Sequence, residues 1–83
     1  MILTKEQGKH FIATNLDRLM KERSITQQAL ADAVKMSQSM ISKILNAKVC
    51  ADSIDIRNIA EVLGVSQDEI TSNEPKRKFR KTG

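Results

Sequence analysis

Four polar side chains, Gln38, Ser39, Ser42 and Lys43, are spaced so that a helix carries them on one face, away from Ile41, Ile44 and Leu45. Amide, hydroxyl and ammonium groups in that pattern make hydrogen bonds rather than break covalent ones. They suit the donor and acceptor edges that base pairs present in a major groove. The other reactive residue types stand alone. His10 is the sole histidine and reads as a surface side chain. Cys50 is the sole cysteine, which excludes an internal disulfide or a thiolate cluster and leaves a free thiol in a loop. Asp52 and Asp55 have the spacing of a carboxylate pair but no metal-binding companions. They read as charges at a helix N-terminus, where negative charge is favoured. Gly8, Gly64 and Gly83 are scattered and make no phosphate loop. The expectation is a protein with no catalytic residues, no metal and no cofactor: a binding protein, not an enzyme.

Size and charge narrow the partner. A chain of 83 residues supports one small core and seldom an enclosed substrate pocket. No apolar run approaches the roughly 20 residues that span a bilayer, and MILTKEQGKH turns polar too early for a signal peptide. With a single thiol, a reducing cytoplasm is the expected location. With only Phe11 and Phe79 as aromatics, stacking of single-stranded bases is not expected. The net charge of +4 comes from the last ten residues, EPKRKFRKTG; residues 1–73 balance to zero. Within them, Lys35 to Lys48 holds three lysines and no acid, whereas Asp52 to Glu69 holds five acids against Arg57. A surface polarised in this way presents one face to an anionic partner.

The elements that must position these groups are short helices. Thr4 with Gln7 reads as a capping box, followed by Phe11, Ile12, Leu16, Leu19 and Met20 at helical period. Thr26 caps a helix over Gln27–Val34, and Ser37 caps one over Gln38–Leu45. Asp52 or Ser53 caps a helix carrying Ile56, Ile59, Ala60 and Leu63. Gly64 closes it as a left-handed residue, with Val65 as the hydrophobic contact after it. Ser66 with Glu69 opens a last short helix that includes Ile70. The predicted domain covers 1–73, five helices and no sheet, with Leu16, Leu30, Ala31, Val34, Ile41, Ile44, Ile59 and Leu63 in one core. Residues 74–83 form a basic tail expected to be disordered, open to reading as a phosphate-contacting arm, a linker or a solubilising end.

Thr26 to Lys48, TQQALADAVKMSQSMISKILNAK, joins two short helices through about three residues, the helix-turn-helix arrangement. Ala31 is small enough for the helices to cross closely, and Leu30, Val34, Met36, Ile41 and Ile44 fill the angle between them. Met40, on the second helix, either touches a thymine methyl or packs at the core edge. Through TQQALA, SQSMISKILNAK and IAEVLGVSQDEI, the stretch from Phe11 to Ile70 resembles the DNA-binding domain of the lambdoid phage repressors and Cro proteins. The resemblance implies the all-α, five-helix lambda-repressor-like fold. It implies that Gln27 touches a phosphate and braces Gln38, and that Gln38 bonds an adenine edge. Ser39 and Lys43 then face neighbouring bases, and Asn46 and Lys48 lie in a loop against the DNA backbone. Two positions depart from the pattern. Lys35 and Ala47 stand where glycine is usual, so either they adopt positive φ at some cost or the turns differ.

The expected function is therefore sequence-specific binding of double-stranded DNA by a transcriptional regulator, a phage or bacterial repressor reading an inverted repeat. Gln27, Ser37, Gln38, Ser39, Ser42, Lys43, Asn46 and Lys48 are the expected contact residues. A homodimer is expected, joined near Val65 and Ile70 as the resemblance implies. The alternative is a protein-interaction module, an antitoxin or a repressor captured by an antirepressor protein.

Overall fold

A computed structural model describes residues 5–72. They form α1 (Lys5–Arg23), α2 (Gln27–Val34), α3 (Gln38–Leu45), α4 (Ser53–Leu63) and α5 (Gln67–Thr71), with no strand among the described residues. The Thr4–Gln7 capping box and the tail 74–83 lie outside what is described. Four of the helices start where a side-chain oxygen accepts an otherwise orphaned backbone N–H. Thr26 accepts from Ala29, Ser37 from Met40, Asp52 from Asp55 and Ser66 from Glu69. At Ser66 the bond is reciprocated by Glu69, which completes the expected capping box.

The helices enclose one core. Ile12, Leu16, Leu19 and Met20 of α1 meet Leu30, Ala31 and Val34 of α2, Ile41 and Ile44 of α3, and Ile56, Ile59, Ala60 and Leu63 of α4. All eight core residues expected from the sequence are in this cluster, while Phe11 is only half-buried. α1 is the central strut, because it packs against α3, α4 and α5, and α2 packs against α3 and α4. Each buried Leu or Ile contributes about 1.5–3 kcal/mol on leaving water. The position of α3 therefore rests on Ile41 and Ile44, which are almost fully enclosed.

One expectation is corrected. Ile70 is not part of an open dimer surface: it is 0% exposed, and Val65 packs against the core. Ile70 is the only apolar residue of the five-residue α5, so it is the one apolar side chain with which α5 packs on α1 and α4. Asn15 of α1, 2% exposed, completes that attachment. Its Nδ2 donates to the carbonyls of Ile70 and Ser72, both at 2.8 Å, and satisfies the end of α5.

Candidate nucleic-acid interface

The interface is built on how α2 turns into α3. α2 ends at Lys35, which is left-handed at φ 63° and ψ 40°. Its N–H donates to Asp32 O at 3.4 Å, and the next N–H, that of Met36, reaches back to Ala31 O at 2.9 Å. That pair of bonds is a Schellman closure, with the half-buried Met36 packed on the core after it. Ser37 then starts α3, its Oγ accepting from Met40 N at 3.0 Å. The turn keeps its geometry without glycine, and Lys35 takes the strained conformation. At the far end of α3, Ala47 does the same at φ 58°, with Ala47 N donating to Ile44 O and Lys48 N to Lys43 O.

With Ile41 and Ile44 turned inward, Gln38, Ser39 and Lys43 are exposed on α3, and Lys48 is exposed in the loop beyond it. Among the described residues none of these four side chains has a hydrogen-bond or ion-pair partner, so their donors and acceptors are open to an incoming ligand. Lys35, absent from the expected contact set, is exposed and unpaired at the turn and adds a third ammonium group to this side. The acid-free run from Lys35 to Lys48 is the sequence signal that points to it.

Of the remaining expected contacts, Ser37, Ser42 and Asn46 already serve the fold. Asn46 Nδ2 donates to Ser42 O at 2.9 Å and to Ser42 Oγ at 3.3 Å, which ties down the end of α3. Ser37 Oγ accepts the capping bond and keeps its O–H free to donate. Gln27 is half-buried at the start of α2, and among the described residues no hydrogen bond joins it to Gln38. The neighbouring Gln28 is engaged, donating to Asp32 at 2.8 Å.

Acidic groups gather on another part of the molecule, the start of α4 and α5. There the Asp55 carboxyl is raised above its ordinary value, first by burial and then by the adjacent Asp52. Ser53, Ile54, Arg57 and Gln67 line a shallow groove of about 200 Å³ at this place, and Ile54 is 61% exposed. No group of three or more potential metal ligands occurs among the described residues, and no described helix is long and apolar enough to cross a membrane.

The arrangement thus pairs a short, rigidly capped helix bearing uncommitted polar groups with a supporting helix set across it. The sequence profile of the helix-turn-helix family matches residues 16–70, from the middle of α1 to α5. Comparison with curated proteins and with solved structures returns no match.

Proposed function

The chain belongs to the helix-turn-helix family of DNA-binding transcriptional regulators, with the lambda-repressor-like five-helix fold, and on that premise we propose that it is a repressor that reads an inverted-repeat operator through α3. The observation that carries this reading is the face of α3 and its following loop. Among the described residues Gln38, Ser39, Lys43 and Lys48 are exposed and without hydrogen-bond partners, on and just after a helix whose inner side buries Ile41 and Ile44. A recognition helix lies in the major groove with its N-terminal residues on base edges. Gln38 then offers the amide that matches adenine N6 and N7, and Ser39 and Lys43 face the neighbouring bases. Ser42 lies on the same face as these three, and Ser37, Asn46, Lys48 and Gln27 border the phosphates.

One such helix reads only a few base pairs, so two subunits on half-sites about one helical turn apart are the economical arrangement. With Ile70 committed to the core, the surface that favours self-association is the start of α4, where Ile54 stands exposed beside the groove formed with Arg57 and Gln67. This reading places the protein in the cytoplasm, on duplex DNA.

Selection of bound sequences from a random duplex pool tests it. The expected result is an enriched palindrome whose half-sites lie about 10 base pairs apart or a multiple of that. Failure to enrich any duplex above the starting pool would sink the proposal.

A further inference from the structure

Met40 is the one large apolar side chain left exposed on α3, and it lies in the helix's first turn. Met36, four residues earlier, packs against the core, as does Leu45 at the helix's other end. Met40 belongs neither to the core cluster nor to the residues packed on it, and 38% of it remains accessible. At 100° per residue it sits about 60° from Lys43, on the margin of the face that carries Ser39 and Lys43. Its backbone N–H is held by Ser37 Oγ at 3.0 Å, so the first turn has a defined place in the fold. First-turn residues are those that meet base edges when such a helix enters a major groove. A thioether there has no strong hydrogen bond to offer. The only apolar group the major groove presents is the 5-methyl of thymine.

We propose that Met40 reads a thymine in each half-site by packing against its 5-methyl group. The contact would add a preference that none of the polar residues of α3 supplies, because uracil offers the same hydrogen-bonding edge as thymine and lacks only the methyl. The inference rests on the proposed reading of DNA by α3.

The test replaces each thymine of a selected duplex by uracil, one at a time, and measures binding of the wild-type protein and of Met40→Ala and Met40→Leu. In the wild type, one position per half-site should lose about fourfold in affinity, the worth of one buried methyl. Met40→Ala should bind the thymine and uracil duplexes equally at that position, and Met40→Leu should restore the difference. The exposure of Met40 leaves the core intact in both variants, and equal thermal midpoints would verify this. A Met40→Ala protein that keeps the uracil penalty, or a wild type that shows none at any position, overturns the methyl contact while leaving DNA reading in place. A protein that enriches no duplex at all overturns both.

Discussion

At the scale of single residues, the groups on α3 divide into readers and anchors. Gln38 is uncommitted, and its amide presents a donor and an acceptor in one plane. Gln38→Ala should therefore cost about 1–3 kcal/mol at one position per half-site and relax the base preference there, measured by competition among single-base operator variants. Lys48→Ala, a backbone contact, should instead weaken all duplexes about equally. Gln27 makes no bond to Gln38, so any bracing between them has to form on the DNA, and Gln27→Ala bears on affinity more than on the free fold. Asp55 gives a second residue-scale expectation. Its carboxyl is raised in the folded protein above the ordinary 3.8. The native state then binds that proton more tightly than the unfolded chain, and stability from this group falls as pH rises from 3.8 through the raised value. Asp55→Asn should be more stable than the wild type at neutral pH, and the gap should close as pH falls through that window. A gap that widens on acidification would refute the assignment.

At the scale of elements, the helix ends show one closure used four times. Ser24, Lys35, Ala47 and Gly64 are all left-handed, and after each the next N–H reaches back five residues, Ile25 to Met20, Met36 to Ala31, Lys48 to Lys43 and Val65 to Ala60. Only one of the four is glycine. The other three each carry a Cβ penalty that glycine lacks. Ser24→Gly, at the end of α1, should raise stability by about 0.5–1 kcal/mol, seen as a melting midpoint several degrees higher, with DNA affinity unchanged. Lys35→Gly should give a similar rise but lower affinity, because it also removes an ammonium group beside α3. The starts of these helices are legible in the sequence, because Thr26, Ser37, Asp52 and Ser66 are strong caps placed just before apolar periods. The ends are less legible. Ser24 reads only as a break in register, since nothing in a serine announces positive φ. Asn15 is hidden for the opposite reason, as a single polar residue inside an apolar face whose partners lie more than 50 residues away. Ile70 is misread because a helix of five residues is too short to display a period, so its inward face has no signature. The exposed polar face of α3 is legible because the sequence leaves it polar where Ile41 and Ile44 fix which side is inside.

At the scale of the whole molecule, Lys35, Lys43 and Lys48 flank α3, while Asp52, Asp55, Asp68 and Glu69 lie at the starts of α4 and α5, where Ile54 is exposed. If the proposed dimer joins at α4, the polar face of α3 stays free in both subunits. Ile54→Glu should then lower the sedimentation-derived association constant and the cooperativity on a two-half-site operator, with single half-site affinity nearly unchanged. Unaltered cooperativity would place the dimer surface elsewhere. If the basic run Lys76–Lys81 reaches DNA phosphates, deleting residues 75–83 should weaken binding to operator and random duplex alike. The salt slope should become shallower by about 0.9 for each phosphate that the run neutralises in the intact protein. A slope that does not move would mean that the run neutralises none.

The two hydrogen bonds from Asn15 to the end of α5 have a consequence for that basic run. It fastens the chain at Ser72 to α1, the same helix that supports α3. The point of departure of residues 73–83 is thus set relative to the reading helix. Eleven residues reach about 36–40 Å when extended. A basic run that meets the duplex from that point would act as a tethered ligand, its local concentration governed by leash length rather than by protein concentration. Gly-Ser residues inserted between Ser72 and Lys76 would dilute it roughly as the −3/2 power of the leash. Cutting the tether at Asn15 would blur its origin without touching a single basic side chain.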